Sequence, residues 1–201
     1  MARGRTGEPT KGEELHAAVA ARHPRFAEAV AADLAIARMR RGEEAPLRSR
    51  AAVVREVLRL SFEMDAFGAL VAYRAKAACR RRGIPVLPVV LHRVAIAWAG
   101  ISIGDPVLVH PGVFFAHGSV VIDGFVEVHP GVRFRPFVTI GLKERNLFGP
   151  TIGRDVKLGT GAKVIGPVTI GDGAVIGANA VVLDDVPAGA TAAGVPARVL
   201  S

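Results

Sequence analysis

The chain has 201 residues, half of them hydrophobic and 22% charged, with 23 Gly, 13 Pro, 5% aromatics and a formal net charge of +8. Such an apolar content supplies a core for one domain or two small ones and excludes an intrinsically disordered chain, while the scarcity of aromatics requires small side chains to pack tightly. The single Cys79 excludes an internal disulfide framework and a multi-cysteine zinc site, and it fits a reducing compartment, so a cytoplasmic location is expected.

Residues 1–10 carry basic side chains with no apolar run of signal-peptide length behind them, and a frayed leader is expected there. From residue 11 to 99 the pattern is helical, rich in Ala, Leu, Arg and Glu, with breaks at Pro24 and around residues 42–46, 61–65 and 83–85, so four or five helices fit. Within residues 64–82, Phe67, Leu70, Val71, Arg74 and Ala78 recur at three- and four-residue steps, giving an apolar stripe beside an arginine-bearing face. Residues 1–100 hold 18 Lys+Arg against 10 Asp+Glu, whereas residues 101–201 hold 8 of each, so the excess positive charge is all N-terminal. It is interleaved with Ala, Leu and Glu at helical spacing, and no nucleic-acid motif accompanies it. A solvated helix surface, with no nucleic-acid partner, is therefore expected. His92, Arg93 and prolines interrupt the richest apolar stretch, residues 84–109, so no membrane span is expected.

Beyond Gly100 the glycines rise from 7 to 16 and helical periodicity stops. Ile152, Leu158, Val164, Ile170, Ile176 and Val182 are spaced by six, and four residues after each stands Val156, Ala162, Val168, Ala174, Ala180 and Val186. The phase continues backwards through Ile140, Phe134, Val128 and Ile122. One short strand and one turn per six residues makes a triangular coil of three repeats, and stacked coils bury columns of aliphatic side chains: a parallel β-helix. Gly153, Gly159, Gly171 and Gly177 fall at corners expected to need positive φ. Two places break the rhythm: a charged loop at 143–150, and a seven-residue step from Phe115 to Ile122 that inserts one residue beside His117.

The segments Thr151-Ile152-Gly153, 159–167, 176–183 and Gly194-Val195-Pro196-Ala197-Arg198, with the helical lead-in 65–93, resemble the hexapeptide-repeat acyltransferases of the serine acetyltransferase-like branch. The resemblance covers roughly residues 50–201 and implies an α+β fold, an N-terminal helical domain over 1–100 followed by a left-handed parallel β-helix over 101–201. It also implies transfer of an acetyl group from acetyl-CoA to a hydroxyl, without a metal, in grooves between the β-helices of a homotrimer, with pairing into hexamers left open. In Ala116-His117-Gly118-Ser119, His117 matches the family's catalytic histidine. A neutral imidazole there takes the acceptor's proton and returns it to the leaving thiolate. The CoA positions carry over onto Gly141, Thr160, Ala178 and Arg198, with Lys163 near the phosphates.

The departures bear on the acceptor. Ala116 stands where serine-specific members have an aspartate, Ser102 where they have the carboxylate that orients the imidazole, and Phe148 and Gly149 where an Arg-His pair meets the serine carboxylate. Asp105 and Asp123 are candidates for the missing orienting group. With Leu147 and Phe148 in the loop, a sugar or natural-product hydroxyl is the expected acceptor. Serine is the alternative, served by Lys143 and Arg145, and a non-catalytic scaffold is a further one. His110 and His129, each followed by Pro, read as turns, His92 as structural, and His16 and His23 carry no signal.

Overall fold

The computed structural model describes residues 10–144 and 146–200, so residues 1–9 of the leader expected at 1–10 and the loop's Arg145 lie outside the described residues, while Thr10 begins the first helix's cap. Among the described residues five helices come first: α1 (Lys11–Arg22), α2 (Phe26–Arg40), α3 (Arg50–Glu63), α4 (Asp65–Arg81) and α5 (Leu87–Ala99). Their ends follow local chemistry. Thr10 and Glu13 form a reciprocal capping box at α1, Ser49 accepts from the Ala52 N–H at 3.1 Å to cap α3, and α5 stops at Gly100, whose φ of 65° is left-handed.

Among the described residues, fifteen short strands, numbered along the chain, then wind into a parallel β-helix with three faces. The first face stacks β1 (Ser102–Ile103), β4 (Val121–Ile122), β7 (Thr139–Gly141), β10 (Lys163–Ile165) and β13 (Val181–Val182). The second stacks β2 (Leu108–Val109), β5 (Phe125–Val128), β8 (Phe148–Ile152) and β11 (Thr169–Ile170). The third stacks β3 (Phe114–Phe115), β6 (Arg133–Phe134), β9 (Lys157–Leu158), β12 (Val175–Ile176) and β14 (Thr191–Gly194), closed by β15 (Ala197–Leu200), the one antiparallel member. The register places Ile103, Ile122, Ile140, Val164 and Val182 in one buried column. All twelve aliphatic and small positions of the 152–186 repeat are buried, as the six-residue period requires.

One corner of each coil, between the third and first faces, repeats a left-handed residue: Ser119, Phe137, Gly161 and Asn179, with φ of 62°, 64°, 73° and 55°. The glycines expected to serve this purpose do something else. Gly153, Gly159, Gly171 and Gly177 have ordinary φ, and a Cβ on them would press on the next coil, 2.4 Å from the Ala188 nitrogen in the case of Gly171. Small size rather than backbone freedom selects them.

Part of the charged face of α4 is not solvated, contrary to the expectation from charge spacing: Arg74 and Lys76 are buried, while Arg80 and Arg81 are exposed. The first coil has no preceding coil to pair with, and an unpaired sheet edge is costly when covered by protein. Side chains of α4 bond that edge. Tyr73 Oη donates to the Val107 carbonyl at 2.8 Å, Lys76 Nζ to the Ile103 carbonyl at 2.5 Å, and Arg74 to the Val109 and His110 carbonyls. Arg74 is paired with Asp33 of α2 at 2.9 Å, both almost fully buried, and Asp33 accepts the N–H groups of Gly112 and Val113. Helices and β-helix consequently share one continuous core that runs from Ala66, Leu70, Tyr73 and Ala95 to Ala192. A smaller cluster of Leu34, Ala37, Leu60 and Phe67 joins α2, α3 and α4.

Candidate active site

Phe115, Phe134, Leu158 and Ile176 lie over one another on the third face. Two residues beyond them, at the corner leading to the first face, the chain therefore places His117, Pro136, Thr160 and Ala178 in one column. Backbone bonds from Gly161 N to Pro136 O and from Asn179 N to Thr160 O tie its later members together. At about 4.8 Å per coil, Thr160 is roughly 10 Å and Ala178 roughly 14 Å from His117 along the edge. His117 is exposed, and among the described residues none hydrogen-bonds its imidazole. Lys163 Nζ folds back onto the same corner, donating to the carbonyls of Phe137 at 3.0 Å and Gly161 at 2.9 Å.

The seven-residue step is explained by this corner. His117 and Gly118 occupy the space that a single residue fills in the later coils, and Ser119 resumes the left-handed position. The C-terminus of α5 presses against the insertion: Ser119 N donates to the Ala99 carbonyl at 2.7 Å, and a Cβ on Gly118 would lie 1.8 Å from that same oxygen. Gly118, Ser119 and Gly100 thus position the histidine's corner. Sequence reading missed them as site residues, although the broken period pointed to the place.

Other sequence candidates lie apart from this corner. Gly141 is paired with Ile165 at the opposite end of the first face, four residues from Phe137 and so about 13 Å away. Arg198, on the closing strand β15, is exposed and 3.5 Å from Asp184. Asp105 and Asp123 follow β1 and β4, which puts the first face between them and His117; Asp105 is held by Lys76 at 3.2 Å and Arg80 at 2.5 Å. Neither orients the imidazole within one chain. Loop 143–150 leaves the β-helix at that same distant corner. Its Phe148 packs on Phe125 at 5.9 Å between ring centroids, and Leu147 lines a groove of about 420 Å³ with Thr10, His16, Asp123 and Leu142.

A column of Thr and Ala beside a histidine accommodates a long thin ligand, because small side chains let its chain approach the coil backbone. Comparison with known proteins identifies the family. Residues 149–184 match the family model described as bacterial transferase hexapeptide (six repeats). A serine acetyltransferase of Helicobacter pylori (strain J99) is 38% identical over 136 residues, covering 66% of this chain and 80% of that protein. One of Bacillus subtilis (strain 168) is 37% identical over 135 residues, covering 66% and 62%. Among solved structures, soybean serine acetyltransferase complexed with serine superposes with a TM-score of 0.73 at 29% identity, and a serine acetyltransferase in complex with CoA with 0.72 at 27%. Both cover 94% of this chain, and 74% and 75% of their own. No helix among the described residues is long and apolar enough to cross a membrane. These relatives displace the non-catalytic scaffold: the chain belongs to the serine acetyltransferase-like branch of the hexapeptide-repeat acyltransferases and is an acyl-CoA-dependent O-acyltransferase.

Proposed function

We propose that the protein transfers an acetyl group from acetyl-CoA to the hydroxyl of L-serine, with His117 as general base and then general acid. The observation that carries the acceptor is the likeness to serine acetyltransferases over two thirds of the chain at 38% identity. In this reading the thioester supplies the activated acyl group, and the column of Thr160 and Ala178 seats the pantetheine arm. His117 Nε2 or Nδ1 holds the hydroxyl proton while the acceptor oxygen attacks. Lys163 and Arg198 serve the rest of CoA, and Gly141, at the far end of the first face, meets it from a neighbouring copy. Since loop 143–150 and His117 leave different corners of one chain, a complete site needs the loop of a neighbouring copy, which favours a cyclic trimer. The apolar Leu58, Phe62 and Trp98, exposed on α3 and α5, suit further pairing of such trimers.

A second reading, a sugar or natural-product hydroxyl, is favoured by Ala116, Phe148 and Gly149, which leave a zwitterion without the charges that serine-specific members provide. Thiol release from acetyl-CoA against L-serine, homoserine, monosaccharides and nucleotide sugars separates the two. Serine turnover that vanishes in His117→Ala supports the proposal. Turnover on a sugar alone would replace it with the second reading. Light scattering is expected to give the mass of three or six chains, and a monomeric mass would count against the shared site.

A further inference from the structure

A second cluster lies outside the acyl-transfer corner. His110 and His129 each stand one residue beyond a second-face strand, β2 and β5, so successive coils present them at equivalent positions: His110 N bonds the Val128 carbonyl and His129 N the Ile152 carbonyl. Their rings stack with centroids 4.9 Å apart and planes 8° apart. Between them Glu127 projects outward from β5, its Oε1 2.8 Å from His110 Nε2 and 3.8 Å from His129 Nε2. Three ligand atoms, two imidazole nitrogens and a carboxylate oxygen, fall within 4.8 Å of one another.

We infer that His110, Glu127 and His129 form a binding site for a transition-metal dication such as Zn²⁺, separate from the acyl-transfer chemistry. A tetrahedral ion bound at about 2.0–2.1 Å holds its ligand atoms about 3.3 Å apart. Two of the three separations, 2.8 and 3.8 Å, bracket that value and the third lies within 4.8 Å, so the ligand atoms close on an ion by shifts of at most about 1.5 Å as the stacked imidazoles turn their lone pairs inward. All three side chains are between a fifth and a third exposed, which leaves a side open for a water ligand. Two imidazoles and one carboxylate select Zn²⁺, Co²⁺ or Ni²⁺ over Mg²⁺ and Ca²⁺, which prefer oxygen. The competitor is Arg22 at the end of α1, whose guanidinium lies 2.5 Å from the same Oε1. Arg22 is more than half exposed and is free to move to the other carboxylate oxygen as the ion enters.

The test is calorimetric titration of the metal-free full chain with ZnCl₂, repeated with CoCl₂ followed by visible absorption and with MgCl₂ as control. One Zn²⁺ per chain at low micromolar concentration is expected, with a Co²⁺ spectrum of tetrahedral character and no Mg²⁺ binding. The His110→Gln/His129→Gln double variant should lose affinity by more than about tenfold. Undiminished binding in it, or no Zn²⁺ binding by the wild type, overturns the inference. Should that variant not fold by circular dichroism, Arg22→Ala decides. Removing the competing cation should tighten Zn²⁺ binding several-fold, and unchanged or weaker binding would show that the ion does not take the Glu127 oxygen.

Discussion

Gly118 and His23 show how much one residue carries here. At Gly118 the obstacle to any side chain is backbone, the Ala99 carbonyl, which cannot swing away without unseating the end of α5. Gly118→Ala should therefore cost about 2–4 kcal/mol in urea unfolding and reduce turnover more than it weakens CoA binding, because the corner carrying His117 moves. Gly112→Ala, where a Cβ meets nothing within 4 Å but φ is 80°, isolates the smaller cost of backbone strain alone. His23 is buried beside Tyr73, with its carbonyl accepting from Arg81 at 2.8 Å. Burial, and then the positive charges of Arg74, Arg81 and Lys76, push its imidazole down to about 4 from 6.5. Above pH 6.5 both the folded and the unfolded states hold it neutral. As pH falls from 6.5 toward 4, only the unfolded chain takes up the proton, so stability is lost across that window, by at most about 3 kcal/mol. His23→Gln should flatten that part of the stability profile, as read by urea midpoints at pH 7 and 4.5.

Among the elements, α4 has the task that its sequence conceals. A helix with Tyr73, Arg74 and Lys76 on one side reads as amphipathic with a charged surface, because spacing reports the face but not what lies opposite. Opposite is the open edge of a parallel coil, where long cationic side chains reach backbone carbonyls that water would otherwise solvate. Burial raises the Asp33 carboxyl from its ordinary value, while Arg74 and the N–H groups of Gly112 and Val113 oppose that rise. Arg74→Ala should destabilise by about 3–5 kcal/mol by leaving Asp33 buried and unpaired. Adding Asp33→Asn should recover part of the loss, and strict additivity of the two substitutions in a double-mutant cycle would contradict the coupling.

At the scale of the whole molecule, the helical layer closes the first coil and the antiparallel β15 closes the last. A chain of residues 101–200 alone should expose the edge that α4 covers and associate or precipitate, which size-exclusion chromatography beside the full chain would show. How much was legible in advance follows from what periodicity encodes. The aliphatic column from Ile122 to Val182 fixed strand length, coil size and core from sequence alone, because a buried face repeats in sequence whenever the chain repeats in space. The interruption at 115–122 marked the position of His117 for the same reason. Relations between elements distant in sequence were not legible. That Gly118 sits under the end of α5, that Arg74 meets Asp33 and the first coil, that Asp105 is drawn to Lys76 rather than His117, and that loop 143–150 leaves a different corner from the histidine depend on which coil edge packs on which helix. Local pattern determined the β-helix and marked the place of His117, whose candidate role came from the family resemblance; only the tertiary structure decided the edge cap, the company of His117 and the clustering of His110, Glu127 and His129, because those rest on contacts between segments that no short-range spacing links.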